Sequence, residues 1–222
     1  MAGKQKPYKG IAMEGFIATW YAKNAAGDRD ELFKQAQTVA QHVPSGGRIL
    51  EVAPGPGYLA LELAKLGNFE VTGLDISHTF VRMARQAAQK AGAANVEFML
   101  GDVAVMPFSA NTFDFVVCRA AFKNFGNPVR ALNEMHRVLK LNGQALIIDL
   151  RKDASNEEIE NYIQGRDMSA FTALITRMTF RRMLRPRAYS RDDFAAMIGK
   201  TPFQHYEFKE QGIGLEVWLR AA

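Results

Sequence analysis

The chain has 222 residues, 48 % of them hydrophobic, with a formal net charge of +5 and a single cysteine, Cys118. That length suits one sizeable α/β domain with a trimmed accessory part. One cysteine excludes an intrachain disulfide or a cysteine-built metal cluster and agrees with a reducing, cytoplasmic setting, and no apolar run approaches the ~20 residues a membrane span needs.

Residues 1–10 form a basic lead-in with no apolar stretch behind it, unlike a secretory signal. Phe16, Trp20 and Tyr21 crowd a short aromatic segment ending at Lys23. It either staples the N-terminus to the domain or lies as a lid over a binding site. Asp28 or Asp30 can cap a helix running to His42, with Leu32, Phe33, Ala36, Val39 and Ala40 on its buried face. Pro44-Ser45-Gly46-Gly47 ends it.

Arg48 to Tyr58 then gives a short buried strand (Ile49, Leu50, Val52), a Gly/Pro turn and a helix start. Gly55 and Gly57 allow a turn that a Cβ would obstruct. The helix from Tyr58 to Leu66 places Leu59, Leu63 and Leu66 on one face. Phe69 to Asp75 is a second strand. Ser77 caps a helix over His78–Ala91, whose apolar side is Phe80, Val81, Ala84 and Ala88. Asn95 to Leu100 is a third strand, ending in Gly101-Asp102, and Phe113 to Cys118 a fourth. Asn127 caps the next helix with Pro128 at its first position, and Val129, Leu132, His136 and Leu139 make its stripe. Asn142-Gly143 turns it into a fifth strand, Gln144 to Leu150. Such alternation predicts right-handed βαβ units in a mainly parallel, doubly wound sheet with helices on both faces.

The rhythm then changes. Ser155 to Gln164 and Met168 to about Arg185 are predicted as helices with no strand between them. Ser190-Arg191-Asp192-Asp193 opens a further helix to Gly199 with a capping box. Phe203–Phe208 and Leu215–Leu219 are strands close enough to pair only antiparallel. This gives a seven-stranded sheet, mostly parallel with an antiparallel C-terminal strand. The chain 1–222 is expected to be one Rossmann-like domain with an N-terminal cap (1–30) and a helical insert (151–190).

In a doubly wound sheet the ligand lies beyond the carboxyl ends of the strands. Those ends carry Glu51, Asp75, Asp102 and Arg119. Gly55-Pro56-Gly57-Tyr58-Leu59-Ala60 fits the dinucleotide pattern, with Asp75 about where a ribose-binding acid belongs. However, Pro54 and Pro56 remove two N–H donors that would cradle a pyrophosphate, and Glu51 adds negative charge beside the turn. A ligand with a cationic end group and ribose hydroxyls but no phosphate suits these residues better.

Glu51-x-Ala53-x-Gly55-x-Gly57 resembles the first motif of class I S-adenosylmethionine-dependent methyltransferases, E/D-x-G-x-G-x-G. Asp75, Gly101-Asp102-Val103, Phe113 to Val117 and Arg137 to Gly143 resemble the later motifs, in order over residues 48–150. The small-molecule branch that includes the ubiquinone/menaquinone C-methyltransferases is the most similar in flavour. Ala53 stands where that pattern has its first glycine, and Leu141-Asn142 where it has Pro-Gly; Asn142 can adopt the left-handed conformation the turn needs.

The resemblance implies S-adenosylmethionine as cofactor, with S-adenosylhomocysteine as product. It places Glu51 at the ammonium of the methionine moiety, Ala53, Gly55 and Gly57 along the backbone turn, and Asp75 at both ribose hydroxyls. Ile76 would lie against the adenine, Asp102 at its amino group and the Val103 N–H at its ring. Arg119 would face the methionine carboxylate or the substrate. The implied reaction is an in-line displacement, catalysed mainly by positioning.

No general base is evident; Tyr21 and His78 are the first to test. The four histidines (His42, His78, His136, His205) show no ligand spacing, so no metal is expected. Arg119 to Phe125 lacks the N/D-P-P-Y/F tetrapeptide of many amino-methylating enzymes. Its apolar, aromatic character suits a small organic acceptor.

From Ala170 to Arg191 there are six arginines and no acid. Arg177, Arg181 and Arg185 recur every four residues, beside an apolar face of Phe171, Leu174, Ile175 and Met178. The arginines form a solvated face, a contact with a partner subunit such as a homodimer, or a site for an acidic substrate or nucleic acid. Set against a small-molecule methyltransferase stand an RNA or protein methyltransferase using this insert, a non-catalytic cofactor-binding subunit, and a dehydrogenase.

Overall fold

The alternation builds a seven-stranded sheet from β1 (Arg48–Val52), β2 (Glu70–Asp75), β3 (Val96–Leu100), β4 (Phe113–Arg119), β5 (Leu139–Leu150), β6 (His205–Gln211) and β7 (Gly214–Arg220). In this computed structural model the described residues are 8–9, 13–25, 29–166 and 169–222, without the side chains of 20 and 23–25. The lead-in 1–7, Asp28 as a helix cap, the ring of Trp20 and the helix start at Met168 fall outside them. The strands lie in the order β3-β2-β1-β4-β5-β7-β6. Neighbours from β3 to β5 pair parallel, and β7 runs antiparallel between β5 and β6.

Side chains alternate across the sheet with the two-residue period of a strand. Leu50, Val52, Val116, Cys118, Ala145 and Ile147 pack on one face with α5 (Pro128–Val138) and α8 (Arg191–Ile198). Ile49, Phe115, Val117 and Leu146 pack on the other with α2 (Arg29–Ala40), α3 (Tyr58–Leu66) and α4 (His78–Ala91). The helix signals work as their chemistry requires. Ser77 accepts from the Phe80 N–H, Asn127 from the Arg130 N–H, and the boxes Ser155/Glu158 and Ser190/Asp193 are both closed. Asn142 takes the left-handed turn at φ 62°.

Some expectations are corrected. Phe33 is 43 % exposed, because α2 turns only Leu32, Ala36 and Val39 fully inward. The buried stripe of α5 is Ala131, Leu132, Met135 and Val138, and Val129 and His136 are only half-buried. Strand β5 begins at Leu139 rather than Gln144, pairing with Phe113 before an irregularity in register. The long helix of the insert breaks up. After α6 (Asn156–Gln164), α7 runs over Ala170–Thr179 and gives way to a π-helical turn at Phe180–Leu184 and a 3-10 turn at Arg185–Arg187.

Two of the sequence motifs hold the scaffold. At the amino ends of the strands, Asp114 accepts from the Arg48 N–H (2.8 Å) and from Lys140 Nζ (2.7 Å), tying β1, β4 and β5 together. Arg137 forks onto both oxygens of Glu134 and donates to the carbonyls of Phe108 and Met106. Glu134 in turn accepts from the Met106 N–H, so the loop after β3 is pinned to α5.

Candidate functional site

The order of strands reverses direction at β1, with β2 on one side and β4 on the other, so a crevice opens beyond their carboxyl ends. The chain leaves β1 through a turn that is left-handed at Ala53 (φ 54°), Gly55 (φ 57°) and Gly57 (φ 82°), with Pro54 and Pro56 between them. The Ala53 N–H donates to the Leu74 carbonyl and the Gly55 N–H to Asp75 Oδ2 at 2.9 Å, locking the turn to β2.

The two glycines do different work. A Cβ on Gly57 would stand 2.6 Å from Phe98 Cζ and 3.0 Å from Ala84 Cβ, so that position is bare to let α3 pack against β3 and α4. A Cβ on Gly55 would meet no protein atom within 4 Å. The open side of the turn, where a ligand can approach the backbone, is at Gly55.

Glu51 sits beneath this turn, 3 % exposed. Burial pushes its carboxyl up to about 8, against the Ala60 N–H at the start of α3 and the positive charge of Arg119, with Asp75 adding to the rise. Its Oε2 has no hydrogen-bond partner. An unsatisfied buried carboxylate oxygen is costly, and a cationic donor entering the crevice would satisfy it.

At the end of β2, Asp75 Oδ1 accepts from the Ser77 N–H (2.9 Å) while Oδ2 holds Gly55. Burial pushes this carboxyl up to about 6, against those N–H groups and that of Ile76. Each oxygen keeps a further lone pair for a ligand. Ile76 next to it is 40 % exposed, an apolar side chain left uncovered at the rim. At the end of β3, Asp102 Oδ1 accepts from the Ala104 N–H, and Val103 is buried in the core. Arg119 ends β4; its Nε donates to Gln35 Oε1 (2.6 Å), and a terminal nitrogen lies 3.9 Å from Glu31, so α2 orients it. These observations fit the group the sequence implies: an orphaned carboxyl oxygen that a cation would draw into its ionised form, an open glycine turn, two carboxylates with spare lone pairs and an exposed apolar side chain.

Two groups were not anticipated from sequence. Lys123 and Asp149, both buried just beyond β4 and at the end of β5, form an ion pair with Nζ 2.6 Å from Oδ1. Lys123 Nζ also donates to the Ala120 carbonyl, and Asp149 accepts from the Lys123 and Leu150 N–H groups, so the pair is hydrogen-bonded throughout. A lone acid near the end of the apolar strand Ala145–Leu150 was the signal available. The second is Glu14, whose carboxylate accepts from the His78 and Thr79 N–H groups at the N-terminus of α4. Burial raises it, but those donors with Thr79 Oγ1 and Ser77 outweigh burial and hold it below the usual range.

Glu14 thereby anchors α1 (Gly15–Ala25) over the β2 end, with Tyr58 Oη donating to the Ala22 carbonyl. Tyr21 is half-buried, edge-on to Phe80 at 5.9 Å. His78 is exposed and lines a shallow depression with Arg82, Arg85, Gln89 and Leu100 along the α4–β3 flank. On the β4 side, Lys9 lies against Asn124 through a 2.7 Å backbone bond, and its Nζ donates to the Tyr189 hydroxyl. Tyr189 packs edge-on to Phe122 and Phe194, and Phe122 meets Phe125 at 5.3 Å, an aromatic cluster whose phenylalanines are buried in the core and whose half-buried edge is Tyr189.

The arginine face is half-exposed and partly paired within the chain. Arg177 forks onto Glu160 of α6 at 2.6 Å for both bonds, Arg181 reaches the same carboxylate at 2.9 Å, and Arg185 donates to the Ala154 carbonyl and Asn156. The acid shared by Arg177 and Arg181 lies on the preceding helix, outside the acid-free stretch, and Arg181 Nε is left without a partner among the described residues. Among the described residues no helix is long and apolar enough to cross a membrane, and no His, Cys, Asp and Glu side chains gather as a metal site.

A family model described as a methyltransferase domain matches residues 44–184. An uncharacterized methyltransferase of Bacillus subtilis, YcgJ, is 32 % identical over 142 residues, covering 59 % of this chain and 54 % of the relative. A ubiquinone/menaquinone biosynthesis C-methyltransferase of Geotalea uraniireducens is 33 % identical over 107 residues, covering 47 % and 46 %. This chain thus spans about half the length of these curated relatives. Among solved structures, a SAM-dependent methyltransferase from Aquifex aeolicus shares the fold with a TM-score of 0.72 at 21 % identity, over 94 % of this chain and 100 % of that one.

Proposed function

This chain belongs to the methyltransferase-domain family, class I and S-adenosylmethionine-dependent, and from that premise we propose that it methylates a small organic molecule with an aromatic or apolar body. The observation that carries the reading is the buried Glu51 carboxylate, whose Oε2 is unpartnered beneath the open turn at Gly55. When bound, S-adenosylmethionine supplies a methyl group activated by its sulfonium sulfur.

The chain's own residues bind and orient. Glu51 holds the ammonium, with Arg119, steered by Gln35, at the carboxylate end. Asp75 accepts from the ribose hydroxyls on its remaining lone pairs, Ile76 covers one face of the adenine, and Asp102 with the Val103 N–H serves its edge. Helix α1, which Glu14 anchors at the start of α4, would cover the cofactor and exclude water. Tyr189, half-buried over the buried rings of Phe122 and Phe194, is the aromatic side chain assigned to the acceptor side, in keeping with the relative named for quinone biosynthesis. Of the two residues considered as a base, Tyr21 stands at the cap, and His78 faces solvent.

The test is incubation with isotopically labelled S-adenosylmethionine and fractionated metabolite pools, with hydroxylated aromatic compounds as the first defined acceptors. Label in a small organic product is the expected result. Label confined to RNA or protein would overturn the reading.

A further inference from the structure

Helix α7 keeps none of its residues buried. Its inner side does pack: Ala173, with Phe180 and Leu184 from the turn that follows, lies against the cluster built on Ile159 and Ile163 of α6. The outer side is apolar. Phe171 is 72 % exposed, and Leu174, Ile175, Met178 and Met183 are all exposed. The spacing 171, 174, 175, 178 is one helical face, and Arg182, four residues past Met178, continues it toward the C-terminal end. Arg182 is exposed, and among the described residues neither it nor Arg187 forms an ion pair, whereas Arg177 and Arg181 share the single carboxylate of Glu160. The stretch from Ser169 to Arg191 contains no acid at all.

We propose that this face docks on the surface of a bilayer containing anionic lipid. The helix would lie in the interfacial plane, with Phe171, Ile175 and Met178 among the acyl chains and Arg182 at the headgroup phosphates. At 10 residues α7 is too short to cross, and the combination of an apolar stripe with unpaired cations is that of an interfacial helix. Charge decides between occupants. A second copy meeting this face symmetrically would set the unpaired arginines against their own kind. A nucleic acid would match the arginines but leave the apolar stripe against phosphates and water. An anionic bilayer matches both halves of the surface. The inference stands independently of the methyl acceptor's identity.

The experiment is flotation of the purified chain with vesicles of phosphatidylcholine alone and of phosphatidylcholine mixed with phosphatidylglycerol, at low and high salt. The chain is expected to float with the mixed vesicles, to do so less at high salt, and to stay largely behind with phosphatidylcholine alone. The double substitution Ile175→Asp/Met178→Asp should weaken vesicle binding about tenfold or more, with the melting temperature and S-adenosylhomocysteine affinity unchanged. Arg182→Glu, at a side chain with no folding partner, should weaken it about threefold or more and keeps the test open if the double variant misfolds. Absence of the chain from the mixed vesicles, or undiminished binding by Arg182→Glu, would overturn the proposal. So would a dimer in solution that the double variant dissolves, since that would give the face to a second copy.

Discussion

Glu51 links cofactor binding to proton release, and the linkage can be measured. With its carboxyl pushed up to about 8, Glu51 is about nine-tenths protonated at pH 7 in the unliganded protein. An ammonium placed against Oε2 favours the carboxylate, so binding at pH 7 should expel close to one proton. Asp75, pushed up only to about 6, is mostly ionised at that pH and adds little. Calorimetric titration of S-adenosylhomocysteine in buffers of different ionisation enthalpy counts the proton. In Glu51→Gln the release should vanish, and affinity should fall roughly 10- to 100-fold, corresponding to about 1.5–3 kcal/mol for a hydrogen bond to a charged group. The same carboxyl has a stability consequence of opposite sense. A folded-state value raised above the ordinary 4.5 contributes stability that is complete below that value and is lost as pH rises through about 8. Glu51→Gln without ligand should therefore be more stable than the parent by up to roughly 3 kcal/mol at pH 7, with the gap closing toward pH 4.5. Equal proton counts in parent and variant would refute the reasoning, because they would mean that Glu51 does not face the ligand.

Three further substitutions separate binding from folding. Gly57→Ala forces a Cβ to 2.6 Å from Phe98 and should lower the melting temperature sharply, while Gly55→Ala, with open space beside it, should cost only about 1–2 kcal/mol of stability but markedly weaken S-adenosylhomocysteine binding. Ala53→Gly relieves a left-handed alanine and should raise stability by about 0.5–1 kcal/mol in chemical denaturation, net of the greater entropy glycine has when unfolded. Asp149→Asn leaves Lys123 buried without its counter-charge and should destabilise by about 3–5 kcal/mol, whereas Lys123→Met/Asp149→Leu should recover most of the loss; denaturant midpoints at constant slope would show both.

What was legible in the sequence was local. The strand–turn–helix at Arg48 to Leu66, the cap at Ser77, the Asn127-Pro128 helix start and the left-handed Asn142 each depend on residues a few positions apart, and each is found as expected. The mainly parallel sheet with its antiparallel C-terminal strand followed from alternation and the rules of parallel connection, while the order of the strands came only with the structure. What stayed hidden was pairing at a distance. Arg119 is held by Gln35, 84 residues away; Lys123 finds Asp149 across 26 residues; Arg177 finds Glu160 across 17. An arginine run without an acid in its own segment therefore left a solvated face, a partner contact and a ligand site all open, because the carboxylate shared by Arg177 and Arg181 stands one helix earlier. Phe33 misled for a related reason. Helical periodicity gives the width of an apolar stripe, but which edge is left uncovered depends on packing partners contributed by other segments.

The most direct test of the central claim, that the ends of β1, β2 and β3 seat a sulfonium amino acid carrying a nucleoside rather than a dinucleotide, is a side-by-side titration of the chain with S-adenosylhomocysteine and with NAD. Saturable one-to-one binding of S-adenosylhomocysteine, with NAD inert at the same concentrations, is the predicted result. Tight binding of NAD with none of S-adenosylhomocysteine would contradict it.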